Sequence, residues 1–437
     1  MRVFKTTSTC HSLPWQNLGA FLFFSLTFVL PSGYSYGALL LLVGSAISFR
    51  RADLYQLSSS AYLLLFAFLA YSLVWGIDGV FRGEGIRELD RPLRFLLAAL
   101  VFVPLRLRAP SLKSIVAGIG LGGLSSGFIA CHDVFIDGLT RSQGFMPVNS
   151  FGMIAALYAG FCFLVLQEYR ALGLNAGLRL LLSVGAFSAV AAVFLSGSRG
   201  AYLVLLLIAI TIVYRGLKRH GLGAARVAIV SASICFFLGV FVAVNSPFKD
   251  RVVMAYASTV AYITAGERIG TAIPLRLDMW VTGFELFLEK PIIGWGEAGY
   301  KVALDSRVGR ESLVAEVSNR HLHNQFVHVL VTKGLIGLSL LGLLFYAPLS
   351  VWRRLSKGET AFADFFSSEP SSVAGGLIFM TVCAYIIGGL ARTPFEHHSG
   401  VMVFSFSVVI FLSLAQRISR DKAIARHDEH PELTRPV

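Results

Sequence analysis

The residues best suited to chemistry lie at His321-Leu322-His323-Asn324, where a long polar loop runs into an apolar stretch from Gln325 to Trp352. An ionisable imidazole at the edge of an apolar span, facing a loop large enough to hold a substrate, is a functional-site candidate. Arginines stand at the ends of other apolar stretches. Arg199 sits in the tight turn Ser196-Gly197-Ser198-Arg199-Gly200, Arg276 precedes Trp280 by one helical turn, and Arg82, Arg87, Arg91 and Arg392 lie in further loops. Guanidinium groups bind phosphate oxygens bidentately and stay charged where the dielectric is low. Arg94 and Arg141 read instead as interfacial side chains reaching lipid headgroups.

The chain has no H-E-x-x-H, no cysteine pair at metal spacing, no G-x-S-x-G and no phosphate-binding glycine loop. His321 and His323, two apart, would point to different faces of a helix, and His328 is expected to face the apolar interior, so no metal site is expected. Glu88-Leu89-Asp90 is hemmed by Arg87 and Arg91 and reads as a local ion-pair cluster. One or two imidazoles with several guanidiniums suit group transfer from a phosphate-activated donor, among other options. The base would take a proton from an acceptor hydroxyl, and the arginines would neutralise the leaving phosphate.

The elements that position these groups are membrane spans. Of 437 residues 55% are hydrophobic and 14% charged, a composition that indicates an all-α integral membrane protein. Apolar runs predict twelve spans, at 17–32, 35–49, 58–76, 92–105, 114–131, 149–167, 179–196, 201–214, 226–245, 324–351, 372–391 and 400–416. The first reads as an uncleaved helix rather than a signal peptide, because eleven more follow. Lys and Arg concentrate in the loops on the side of the termini, whereas the opposite short loops carry only Arg82, Arg87, Arg91, Arg94, Arg141, Arg199 and Arg392. The positive-inside rule then places both termini in the cytoplasm and the loop 246–323 outside. The net charge of +13 is this topology signal, and nucleic-acid binding is not expected. The scattered cysteines imply no disulfide framework.

One polytopic membrane domain, 1–437, accounts for the chain, with a polar cytoplasmic tail at 417–437 that is expected to fray. Loop 246–323 is too long to be featureless. Within it, Val252 to Ile263 and Arg276 to Lys290 read as helices. The second places Leu277, Trp280, Val281, Phe284, Phe287 and Leu288 on one face, and Pro291 with the Gly294-Trp295-Gly296 turn ends it.

His323-Asn324, nine residues, then Gly334-Leu335-Ile336-Gly337 resembles the H-[NSQ]-x9-G-x-x-[GTY] signature of the O-antigen ligase family. The likeness extends from the Ser196–Gly200 turn through the tenth span. It implies a GT-C-like glycosyltransferase of the bacterial inner membrane with a periplasmic site. The donor would be undecaprenyl-diphosphate-linked O-antigen and the acceptor lipid A–core, with membrane lipid around both. The transfer would be inverting and metal-independent, with no cofactor. On this chain the resemblance makes His323 the general base, with His321 as its alternative, and makes Arg199 and Arg276 the diphosphate ligands. Asn324 would orient the imidazole or a sugar hydroxyl, Glu396 would orient His323, and Gly334 and Gly337 would serve helix packing. An O-antigen polymerase or protein O-oligosaccharyltransferase shares the signature; a transporter or flippase of lipid-linked glycan is the alternative of another class. Lys333 has no evident role at this level.

Overall fold

The computed structural model describes residues 13–55, 57–83, 89–219, 272–308, 321–355 and 370–429, with isolated positions between 253 and 264. Among these residues every regular element is helical, the secondary structure that satisfies its own backbone in lipid. The chain runs through α1 (Pro14–Ser25), α2 (Tyr34–Ser48), α3 (Ser59–Phe81), α4 (Asp90–Leu105), α5 (Leu112–Cys131), α6 (Val148–Gln167), α7 (Ala176–Ser196) and α8 (Arg199–Arg219). It continues with α9 (Ala272–Glu289), α10 (Gly296–Val308), α11 (Gln325–Leu355), α12 (Pro370–Ala391) and α13 (His398–Glu429).

Eight of the described helices, α3, α5 to α8 and α11 to α13, are long and apolar enough to cross a membrane. Shorter helices occupy the first, second and fourth expected spans. The expected span 226–245 lies outside the described residues, as do Arg87, Glu88 and most of Val252–Ile263. The first expected span also differs in its end: α1 stops at Ser25 and turns follow to Gly33. Pro31 disfavours helix at the residue before it, and the Thr27 hydroxyl bonds back to the Phe23 carbonyl at 2.7 Å.

Helices α6 and α13 are buried along most of their length and form the centre, while α3, α7 and α8 lie at the periphery. Aromatic rings fill the space between α1 and its neighbours: Phe24 stacks on Phe411 at 5.5 Å, and Tyr158 donates to the Phe24 carbonyl at 2.9 Å. Helices α5 and α7 meet through small residues, and a Cβ on Gly123 would sit 2.8 Å from the Gly185 carbonyl oxygen. Such contacts allow the backbone approach by which helices associate in lipid. The C-terminal tail does not begin as a frayed segment. Helix α13 continues to Glu429, and Arg420 donates to the Arg106 and Leu107 carbonyls at 2.9 and 3.0 Å.

Helix α11 carries the feature that positions the site. Its backbone leaves helical geometry at Gly334, with φ 62° and ψ −156°, a region open essentially to glycine alone. The segment Pro291–Trp295 enters the break. Leu335 N–H donates to the Pro291 carbonyl at 2.8 Å, Ile336 N–H to Ile292 at 3.3 Å, and Trp295 N–H to Val331 at 2.9 Å. The backbone groups freed by the break are thereby satisfied from outside the helix. A Cβ at Gly334 would overlap the Ile292 carbonyl. The glycine expected to serve helix packing therefore serves a helix interruption. Gly334→Ala should lose ~1–3 kcal/mol from backbone strain, plus the cost of expelling the inserted segment. A fall in the thermal unfolding midpoint of the purified protein is the expected readout; an unchanged midpoint would refute this account.

Helices α9 and α10 pack over the first part of α11 through a second apolar core of Met279, Leu286, Tyr300, Leu304, Leu322 and Val331. Lys333 is explained here. Its ammonium pairs with Asp78 of α3, which also accepts from Arg82 Nε at 2.6 Å. Arg82 in turn donates to the Trp295 carbonyl at 2.8 Å. This chain of charges ties α3, α11 and the inserted segment together.

Candidate active site

The Trp280 indole N–H of α9 donates to the Leu322 carbonyl at 3.0 Å, anchoring the residue before His323. On the other side, the Asn324 carboxamide oxygen accepts from the backbone N–H of Phe326 and Val327 at 3.0 and 3.2 Å. Asn324 is thus the N-cap of α11; its oxygen orients the helix start rather than the imidazole. Between these anchors His323 takes a left-handed backbone, φ 52°, uncommon for a residue with a Cβ. Strain of this kind persists only where its surroundings fix it. The result turns the His323 ring toward Arg392, at the end of α12, with Nη1 to Nδ1 at 3.5 Å.

Two further imidazoles complete the cluster. The His321 ring packs edge-on against His323 at 5.0 Å and against His397 at 5.5 Å. All three are held in the neutral form. Burial pushes His323 down to about 4, helped by the Arg392 and Arg276 charges. Burial likewise lowers His321 to about 3 and His397 to about 4, with Arg392 adding to the shift in both. An imidazole so placed keeps a free lone pair at neutral pH.

Arg392 also borders a cavity of about 280 Å³ lined by Arg141, Asn149, Gly197, Arg199, Arg276 and other residues. Gly197 ends α7 in a left-handed cap, φ 58°, which turns the chain so that Arg199 opens α8 beside this space. Arg141 is fixed there by a hydrogen bond from Nε to the Ser196 carbonyl at 2.8 Å. Its loop is held by Asp133, whose carboxylate accepts from Gln143 N–H at 2.8 Å and Gly144 N–H at 2.7 Å. Among the described residues no carboxylate pairs with Arg199, Arg276 or Arg392. Burial and the other guanidiniums lower Arg392 to about 9, still protonated at neutral pH, and lower Arg276 in the same way through burial and Arg199. Several like charges around one space, with no carboxylate on Arg199, Arg276 or Arg392 among the described residues, make a receptor for an anion of high charge.

The structure brings together His321, His323, Arg199, Arg276 and Arg392. It adds Arg141, read from sequence as a lipid-facing side chain, and His397. Nothing in its own segment marks Arg141 as a site residue, because its position is fixed by the distant Ser196 carbonyl. Arg82, Arg91 and Glu396 lie elsewhere. Arg91 pairs with Glu396, and the second Glu396 oxygen faces His328, 3.6 Å from Nε2. Glu396 therefore does not orient His323: its side chain is taken by Arg91 and faces His328. Arg82 is held by Asp78 and the backbone of the inserted segment.

Fold and composition define an all-α, multi-pass integral membrane protein. Residues 184–342 match the family described as O-antigen ligase, and the match supports a membrane glycosyltransferase of the ligase and polymerase type. The matched stretch contains Arg199, Arg276, His323, Gly334 and Gly337. The chain is also similar to an uncharacterized protein of Haemophilus influenzae, 27% identical over 350 residues, covering 76% of this chain and 83% of that protein.

Proposed function

We propose that the protein transfers O-antigen polysaccharide from undecaprenyl diphosphate to a sugar hydroxyl of lipid A–core, at the periplasmic face of the inner membrane. The observation that carries this reading is the position of Arg392, which borders the arginine-lined cavity and touches His323. The donor diphosphate occupies that cavity, held by Arg199, Arg276 and Arg392 with Arg141 beside them. At 3.5 Å the Arg392–His323 contact is at the limit of a hydrogen bond. Movement of the guanidinium onto the diphosphate frees the Nδ1 lone pair for the acceptor hydroxyl. As the imidazole takes the hydroxyl proton, the acceptor oxygen bonds to the anomeric carbon and the carbon–oxygen bond to the diphosphate breaks. The anomeric centre inverts, and undecaprenyl diphosphate leaves with its charge neutralised by the arginines. No step in this sequence is assigned to a metal or cofactor.

The test is reconstitution of the purified protein with undecaprenyl-diphosphate-linked glycan and lipopolysaccharide that lacks O-antigen. Appearance of glycan-bearing lipopolysaccharide is the expected result. Lengthening of the lipid-linked glycan without transfer would indicate a polymerase, and transfer only to a protein acceptor an O-oligosaccharyltransferase. Movement of donor across the bilayer without covalent product would indicate a flippase.

A further inference from the structure

Outside the cluster of His321, His323 and the arginines lies a second polar centre that the proposed reaction does not use. His328 is wholly buried, and among the described residues neither of its ring nitrogens makes a well-aligned hydrogen bond. Its Nε2 is nevertheless 3.3 Å from Glu297 Oε1 and 3.6 Å from Glu396 Oε1. One ligand atom from each of the three residues lies within 4.8 Å of the others. At 3.3 Å the Glu297 contact is a weak ion pair with the ring, and at 3.6 Å the Glu396 contact is beyond hydrogen-bond reach. The two separations suit a shared ion: bonds of ~2.0–2.1 Å in tetrahedral arrangement place ligand atoms ~3.4 Å apart.

We propose that Glu297, His328 and Glu396 form a binding site for one divalent transition-metal cation, of the zinc or manganese kind. A mixed carboxylate and imidazole set suits these ions. Two carboxylates balance the ion's charge with a neutral imidazole. Arg91, paired to the other oxygen of Glu396 and 3.3 Å from its carbonyl, fixes that carboxylate from behind, as outer partners of metal ligands do. The nearby Lys333 ammonium pairs with Asp78, a carboxylate it shares with Arg82. A cavity of about 10 Å³ bordered by Glu297, Glu396, Arg91 and Lys333 adjoins the set, at the lower limit for a single water that completes the coordination.

The three ligands come from α10, α11 and the turn at Pro394–Glu396, so the ion fastens three separately folded elements. That turn lies between Arg392 and His397 of the candidate active site. None of the three ligands borders the arginine-lined cavity, so the cation has a structural role, and the inference does not depend on the ligase reading.

The experiment uses full-length protein purified in detergent, stripped with a chelator, then supplied with Zn²⁺ or Mn²⁺ alone and freed of excess. Elemental analysis should find one ion per chain, with a raised thermal unfolding midpoint. Glu297→Gln and His328→Gln should each lose the ion and the rise, whereas His323→Ala should keep both. Monodisperse wild-type protein that retains neither ion and shows no thermal shift would overturn the proposal. So would an ion kept by the Glu297→Gln variant but lost when His321 and His323 are replaced together. Should the glutamine variants not be monodisperse, the wild-type measurements decide alone. Failure of the transfer assay with the ion present would reject only the ligase reading.

Discussion

Replacing His323 by alanine is expected to slow glycan transfer by roughly 10²–10⁴-fold, the usual worth of a positioned general base, while donor binding stays nearly unchanged. The separation follows from geometry: the imidazole lies beyond Arg392 from the arginine-lined cavity. His323→Asn is the companion variant, because asparagine tolerates the left-handed backbone and so removes the base without adding strain. Equal loss in both variants, with normal donor affinity, supports the role; full activity in either would refute it. The pH dependence carries a sign. Since His323 titrates at about 4, below the ordinary value near 6.5, the neutral base is fully present throughout the neutral range. Transfer should be flat there and fall only as pH drops toward about 4.

Removal of Arg392 should have a double effect. Loss of one donor to the developing charge costs roughly 10²–10³-fold in rate, and weaker donor binding should accompany it. In addition, Arg392 is the largest charge that disfavours protonation of His323. Without it the imidazolium becomes easier to form, the His323 pKa rises toward its ordinary value, and the acid limb of the rate profile moves to higher pH. Arg392→Gln, compared with wild type across pH, tests both parts at once. An unmoved limb would show that the 3.5 Å contact has no electrostatic consequence. Arg199→Glu, at the exposed rim of the same cavity, should weaken donor binding without moving the limb, and unchanged affinity would remove Arg199 from the donor site.

The helices were legible because each apolar run of this length has one stable form in lipid. Helix α9 was legible as a helix, but its buried face was not: of the residues expected to share one face, Trp280 and Phe287 turn inward while Val281, Phe284 and Leu288 are exposed, and Met279 and Leu286 are the fully buried ones. Assignment of partners was harder. Glu396 is the residue before His397 in sequence, yet its partners are Arg91, some 300 residues earlier in the chain, and His328 of α11. Asp78 and Glu297 gave no signal, because a lone acid at a helix end usually meets solvent. The nine-residue spacing to Gly334 was visible as a pattern, but its meaning lies in the non-local segment Pro291–Trp295.

That interruption has a consequence for how the protein is made. Leu335–Leu355, about 31 Å long at 1.5 Å per residue, matches the ~30 Å apolar thickness of a bilayer without the preceding turns. It can be handed to the membrane as an ordinary span during synthesis. The stretch before it, with His323 at its head, gains its final backbone partners only when Pro291–Trp295 settles into the gap. Insertion of this span and closure of the site thus draw on different contacts, the apolar run from Leu335 for the first and the Pro291–Trp295 segment for the second.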